Sequence, residues 1–273
     1  MNNTYLFTAT YEKIAYKRKQ NEVYIKTNTL LDNNKGARKI ACIKKHMGIA
    51  HNDSWNVVPY NLLVEGEQDK RYLNVLATAF GYENVNILVA NGASKMGGYL
   101  EFVKEFCDDS SIKPIVKCIL DHDAEGKSSK DSLEKKATKE TDINIEVQHI
   151  ARVDGKDKNS YEYEIEDFIY PELLIEEVNI YLKRKGYKVL KKSFEANRFS
   201  KSYENMNILK IITENVKTLN PDKDPLDFEK DGMKKILCEN VCRNIEQNSK
   251  IIEEQDMKYP RVKEYIKNIF NAG

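Results

Sequence analysis

Acidic residues follow apolar segments directly at two places in the sequence. The segment NLLV runs into Glu65, with Asp69 four residues later, and the segment IVKCIL is followed by Asp121 and Asp123. If both segments are strands of one parallel sheet, their carboxyl ends lie at the same edge, where ligands bind in such sheets. The alternation of side chains along a strand directs Asp121 and Asp123 to one side. Asp69, one helical turn beyond Glu65, would reach the same place.

This combination of acids predicts a site for a divalent cation. Carboxylates within a few ångströms of one another repel unless they are protonated or bridged by cations. Sets of oxygen ligands suit Mg²⁺ or Mn²⁺. Any one of these acids alone is equally typical of a helix cap or a turn, so the indication comes from the glutamate and the D-x-D motif together.

The hydrophobic pattern predicts the elements that would position these acids. Strand-like segments lie within residues 61–66, 84–92, 113–123 and 143–151, and helical patterns occupy 69–82, 97–109 and 127–141. Strands that alternate with helices indicate an α/β fold with a parallel sheet flanked by helices. Farther on, helical patterns cover 164–186, with an interruption near Pro171 and an end at Gly186, then 201–219 and 228–270. Nearer the start, residues 21–28 resemble a strand and residues 37–49 a short amphipathic helix.

Composition excludes several classes of protein. The 273 residues are 41% hydrophobic, with 44 basic and 43 acidic side chains. No run of 18 apolar residues predicts a membrane span, and the first residues lack the apolar core of a secretory signal, so we expect a cytoplasmic protein. The five cysteines form no C-x-x-C motif and the four histidines are dispersed. A disulfide framework or a histidine-based metal centre is therefore not expected, and Cys238 and Cys242 are interpreted as buried thiols.

A locally basic segment offers a second kind of site. YLKRKGYKVLKK, residues 181–192, contains no acid and includes Lys183, Arg184, Lys185 and Lys188. Such a segment is either a solvated helix face or a track for a polyanion, because clustered cations neutralise phosphates and release counterions. The second interpretation predicts nucleic acid as a partner.

The motifs VEGEQD and LDHDAEG resemble those of the Toprim domain found in topoisomerases, primases and nucleases of the OLD (overcoming lysogenization defect) family. The similarity to OLD proteins continues through VANGASKMGGYLEFV and EYEIEDFIYPELL and covers roughly residues 36–175. It implies a Rossmann-like parallel sheet in which one glutamate and a D-x-D motif bind a divalent metal. Topoisomerase is disfavoured because it needs a nucleophilic tyrosine domain and a longer chain, and primase because no zinc module precedes the motifs.

The resemblance implies a metal-dependent endonuclease that cleaves phosphodiester bonds in DNA or RNA. Asp121 and Asp123 would bind one metal shared with Glu65, and Asp69 and Glu166 would bind a second, with Glu164 and Glu125 in reserve. Two metals supply both an activated water and charge neutralisation, although Glu65 is alternatively a general base.

By its position relative to the family, Lys234 would stabilise the transition state, with Lys230 and Lys235 as alternatives. His122, between the two aspartates, is interpreted as a packing residue.

The beginning of the chain departs from the OLD pattern. Residues 5–28 are similar to the end of an ABC-type ATPase domain, yet no G-x-x-x-x-G-K-[ST] motif is present. We therefore expect a lead-in segment over residues 1–60, a Toprim domain over 61–170 and a helical region over 171–273. A separate ATPase subunit, as in a phage-defence system, or a homo-oligomer would use residues 1–60. The alternative is a non-catalytic nucleic-acid-binding or toxin-like subunit of such a complex.

Overall fold

The structure is a computed structural model that describes residues 5–11, 23–29, 60–82, 86–107, 113–191, 205–228 and 230–270. Its strands are β1 (Tyr5–Tyr11), β2 (Val23–Thr29), β3 (Tyr60–Val64), β4 (Ile87–Val89), β5 (Ile115–Leu120) and β6 (Asn144–His149). Its α-helices are α1 (Glu67–Ala79), α2 (Met96–Cys107), α3 (Ala124–Ala137), α4 (Ile165–Phe168), α5 (Pro171–Arg184), α6 (Ile208–Leu219), α7 (Met233–Gln247), α8 (Ser249–Lys258) and α9 (Pro260–Phe270).

Four strands form one parallel sheet in the order β4-β3-β5-β6. Val64 at the end of β3 pairs with Val89 of β4 on one side and with Ile119 of β5 on the other, and Leu120 pairs with His149 of β6. Helices connect successive strands, as parallel neighbours require. The prediction of an α/β fold with a parallel sheet flanked by helices is confirmed.

The strand order creates a crevice at one edge of the sheet. The chain leaves β3 through α1 toward β4 on one side, whereas it leaves β5 through α3 toward β6 on the other side. Between neighbouring strands whose connections diverge in this way, a crevice opens beyond the carboxyl ends and is the usual ligand site of open α/β sheets. Here it lies directly beyond Val64 and Leu120.

Side chains on the two faces of the sheet belong to two separate cores. Leu62 and Val64 enter the larger core and Leu63 the smaller one, as expected for a period of two. The smaller core is closed by α2 and α3. The larger core continues past residue 170, because buried side chains of α5, α6 and α7 such as Leu173, Ile211 and Val241 belong to it.

Several helix boundaries differ from those predicted. The segment 228–270 is not continuous: α7, α8 and α9 are separated at Asn248 and Tyr259, both with non-helical backbone angles. Pro260 accounts for the second break, since proline lacks an N–H and disfavours a helical residue before it. Helix α1 begins at Glu67 and α3 at Ala124, each earlier than the apolar spacing indicated. The predicted interruption at Pro171 and the end at Gly186, whose φ is 71°, are present.

The start of the chain contributes a second, two-stranded sheet. β1 and β2 are antiparallel, with Tyr5 opposite Thr29 and Tyr11 opposite Val23. The strand expected within residues 21–28 therefore pairs with another strand of the same chain. The helix expected over 37–49 lies outside the described residues, and binding of an ATPase or a second copy through residues 1–60 stays a prediction. In the part of the chain that the structure describes, no helix combines the length and apolarity that crossing a membrane requires.

Candidate active site

Glu65 links the two central strands at the crevice. One carboxylate oxygen, Oε1, accepts a hydrogen bond of 2.8 Å from the backbone N–H of Asp121, and its carbonyl accepts one of 2.9 Å from the N–H of Gly92. Gly92 has φ of 120°, which favours glycine. Burial raises the pKa of the Glu65 carboxyl to about 7, opposed by the Asp121 hydrogen bond and reinforced by the charge of Asp69.

Asp69 lies in the first turn of α1, facing the same crevice. Its Oδ2 accepts a hydrogen bond of 2.7 Å from the N–H of Gly66, the N-cap residue. Because glycine has no side chain to cap the helix, this hydrogen bond stabilises the first turn of α1. Burial raises the pKa of Asp69 to about 6, although the Gly66 hydrogen bond and the ammonium of Lys234 lower it.

Asp121 follows the last residue of β5. Its carbonyl oxygen accepts a hydrogen bond of 2.9 Å from Nδ1 of His149, at the end of the neighbouring strand β6. Burial, followed by the charges of Asp69 and Glu65, raises the pKa of the Asp121 carboxyl well above its ordinary value. The charges of Glu65 and Asp69 thus act on the Asp121 carboxyl, and a shared metal site for these three acids stays a prediction.

Asp123 is placed differently from Asp121. It is the N-cap of α3, where its Oδ1 accepts a hydrogen bond of 2.7 Å from the N–H of Gly126. Glu125 accepts a hydrogen bond of 3.4 Å from the N–H of Ser94. Strand alternation does not apply to Asp121 and Asp123, because β5 ends at Leu120. The sequence left helix capping open as an alternative role for each acid. Asp123 has that role, because one of its carboxylate oxygens accepts the cap hydrogen bond.

Two further acids and a lysine meet beside the crevice. The ammonium of Lys234, at the start of α7, lies 2.7 Å from Oε2 of Glu164 and 3.5 Å from Oε2 of Glu166. The other oxygen of Glu164 accepts a hydrogen bond of 2.6 Å from Asn207. Glu166 is fully buried, and within the described residues neither of its oxygens accepts a hydrogen bond.

The electrostatics of this group follow from burial. Burial raises the pKa of Glu166 to about 8, a shift that Lys234 opposes and Glu164 reinforces. Burial alone would lower the pKa of the Lys234 ammonium, but the charges of Glu166 and Glu164 hold it above its ordinary value. Lys234 therefore stays charged at neutral pH.

Several of these residues line an open cleft of about 760 Å³. Its lining includes Glu65, Asp69 and Asp121 together with the cations Arg71, Lys234 and Lys235. Arg71 makes paired hydrogen bonds of 2.6 and 3.0 Å to Glu246 of α7 and so ties α1 to α7. Acidic and basic side chains thus share one cavity, an arrangement suited to a cation and a phosphate together.

The predicted nucleic-acid-binding residues lie outside this cavity. Lys183, Arg184, Lys185 and Lys188 are all exposed, at or just beyond the C-terminal end of α5. The cleft lining includes none of these four. Cations in the last turn of a helix also stabilise its dipole, so both interpretations of the segment stay open.

Other residues of the motifs have packing roles. His122 is buried, stacks on Tyr163 at 4.3 Å and contacts His149 edge-on at 4.6 Å. Cys238 and Cys242 are buried free thiols on α7. These placements agree with the interpretations made from the sequence.

Sequence reasoning missed residues that hold the acids in place. Asn207 caps α6 through the N–H of Lys210 at 2.9 Å while binding Glu164. Asp167 accepts hydrogen bonds from the N–H groups of Ile208 and Glu164, at 3.0 and 3.1 Å. Asn207 stands just before the apolar spacing of α6, a cap signal that could have been recognised.

The donor set fits a hard divalent cation by its chemistry. Carboxylate oxygens are the ligands such ions prefer, and the repulsion among Glu65, Asp69 and Asp121 would be relieved by a cation. No three histidine, cysteine or acidic side chains of the described residues are already arranged around one metal position. An ion would therefore have to draw the three carboxylates together.

Comparisons with family models, with curated proteins and with solved structures each gave no match for this chain.

Proposed function

We propose that the chain is a divalent-metal-dependent nuclease of the Toprim/OLD type, which hydrolyses phosphodiester bonds of nucleic acid in phage defence under the control of a separate ATPase. The observation that carries the proposal is that Glu65, Asp69 and Asp121 line one cleft at the crevice between β3 and β5. Their side chains line an open cleft beside the partly buried Lys234. The Toprim and OLD resemblance of the motifs around them supports the choice of substrate.

Glu65, Asp69 and Asp121 would hold Mg²⁺ or Mn²⁺. Such an ion supplies Lewis-acid polarisation of the phosphate and a bound water of lowered pKa. In the alternative in which Glu65 is a general base and not a ligand, its raised pKa of about 7 lets it accept a proton from the attacking water at neutral pH. Lys234 contributes a fixed positive charge where negative charge develops on the phosphate. In the hydrolysis, the water oxygen bonds to phosphorus and one P–O ester bond breaks.

The test is an incubation of the purified chain with plasmid, linear duplex DNA and tRNA, each with Mg²⁺, Mn²⁺ or EDTA. We expect at least one polymer to be cut with a metal ion and none with EDTA. Undiminished cutting in EDTA would contradict metal dependence. Binding of a polymer without any turnover would instead favour the non-catalytic subunit. If addition of an ATPase partner then started cleavage, the chain would be a nuclease controlled by that ATPase.

A further inference from the structure

The acids of the site fall into two groups that differ in whether they contact the Lys234 ammonium directly. The first group lines the open cleft and consists of Glu65, Asp69 and Asp121. Within the described residues, the carboxylates of Glu65 and Asp69 accept hydrogen bonds from backbone N–H groups, and that of Asp121 accepts none. Glu164 and Glu166 are instead paired with the Lys234 ammonium at 2.7 and 3.5 Å. A second divalent ion, which the sequence assigned in part to Glu166, would meet a position that already holds a cation.

Burial makes this pairing hard to exchange. The side chain of Glu166 is 0% exposed and that of Lys234 is 21% exposed. For Glu166 the ammonium is the one cation within ion-pair distance in the described part of the chain. Without Lys234, an ionised Glu166 carboxylate would have no compensating charge in a medium that solvates it poorly. A divalent ion could bind Glu164 and Glu166 only by displacing Lys234 or by adding its charge beside it.

We infer that Lys234 takes the place of a second metal ion, so that the site binds a single divalent cation, at Glu65, Asp69 and Asp121. The inference rests on the proposed metal dependence. It assigns Glu164 and Glu166 a different task, which is to hold Lys234 charged and oriented toward the cleft. Asn207 supports that task by binding the free oxygen of Glu164 at 2.6 Å.

The experiment is a Mn²⁺ titration of the full chain without nucleic acid, with bound ion counted by the loss of the free-ion electron paramagnetic resonance signal. We expect one ion per chain for the wild type and for Lys234→Arg, and two for Lys234→Met, which frees Glu164 and Glu166. Lys235→Met is the matched control, because Lys235 lines the same cleft as the neighbouring residue, and it should bind one ion. If Lys234→Met does not fold, a Glu164→Gln, Glu166→Gln double variant should still bind one ion.

The outcomes separate this inference from the proposed function. Two ions in the wild type, one ion in folded Lys234→Met, or loss of the ion from the Glu164→Gln, Glu166→Gln variant would each overturn the role of Lys234 and leave metal dependence standing. No bound ion in any variant would overturn metal dependence and this inference with it.

Discussion

The raised pKa values of Glu65 and Glu166 make a prediction about stability. Each carboxyl has an ordinary value of 4.5, and folding raises it to about 7 and about 8 respectively. Between pH 6.5 and 8 the folded chain therefore binds more protons than the unfolded chain, so the free energy of unfolding falls as pH rises. We expect a loss of roughly 1 kcal/mol per pH unit, since Glu65 is partly screened by solvent.

The measurement is urea unfolding in EDTA at pH 6.5, 7.25 and 8. His122 and His149 act in the opposite direction, because burial lowers their pKa values, and their effect fades within about one pH unit above the ordinary value of 6.5. Glu166→Gln should flatten the profile, and saturating Mg²⁺ should flatten it through Glu65. A free energy of unfolding that is constant or rises over this range in the wild type would show that these carboxyl groups are not held as described.

At the scale of single residues, the sequence predicted those acids whose position depends only on a strand end. Glu65 and Asp121 follow from the place where an apolar segment stops, which the sequence displays. The ion pair of Lys234 with Glu164 joins residues 70 positions apart, so no local pattern contains it. Arg71 was missed for the same reason, since its partner Glu246 is 175 positions away.

At the scale of elements, the turn into α3 fixes Asp121 through a close approach of backbone. A Cβ at Gly126 would lie 2.0 Å from the Asp121 carbonyl oxygen and 3.2 Å from Oδ1 of Asp123. Gly126→Ala must therefore move the start of α3 away from the crevice, and we expect a loss of stability of about 2 kcal/mol or more with weaker metal binding. Gly98→Ala in α2 is the control: nothing lies within 4 Å, and it should be neutral or stabilising by up to ~1 kcal/mol.

Urea unfolding and Mn²⁺ titration of both variants check this expectation. Equal behaviour of Gly126→Ala and Gly98→Ala would mean that the approach of Gly126 to Asp121 does not constrain the site.

The basic end of α5 carries a separate prediction. If Lys183, Arg184 and Lys185 contact phosphates, changing all three to Ala should reduce the slope of log K against log salt by up to about 3, since each contact releases counterions. Binding of one duplex is measured by fluorescence anisotropy in EDTA at several salt concentrations. The control changes two exposed lysines at and just beyond the end of α3, Lys135 and Lys139, to Ala. An unchanged slope in the triple variant would assign the segment to solvated helix surface.

The order of the strands could not be predicted from the sequence. Periodicity indicated four strands and three connecting helices, and all of them are present. Which strands are neighbours depends on packing of helices against both faces, and that is decided by contacts between distant residues. The crevice between β3 and β5 is therefore a result of the structure, although the acids that face it were recognised beforehand.

At the scale of the whole molecule, one core joins the sheet to the C-terminal helices. Met233, Leu237, Val241 and Ile245 of α7 are buried in the same core as Leu73 and Leu76 of α1. Burial of a large apolar side chain contributes about 1.5–3 kcal/mol, so α7 alone contributes on the order of the free energy of unfolding of a whole domain. We expect residues 60–270 to unfold in one cooperative transition, and a chain ending at Tyr170 to show none.

Hydrogen exchange of the full chain, compared with far-UV circular dichroism of the shortened chain in urea, checks this. Amides of β3 and of α7 should exchange with the same free energy of opening. A stable shortened chain with a sharp transition would instead make residues 61–170 an independent domain.

The decisive comparison is between Glu65→Gln, Asp121→Asn and the exposed control Asp131→Asn, each assayed for Mg²⁺-dependent cleavage and for stability at pH 8. Substitution of a proton-accepting or metal-binding carboxylate should lower cleavage by at least ~100-fold, while removal of a repelling charge leaves the free energy of unfolding equal or higher. The control should retain both properties of the wild type. Cleavage at the wild-type rate by Glu65→Gln or Asp121→Asn would contradict a carboxylate-bound metal as the source of activity.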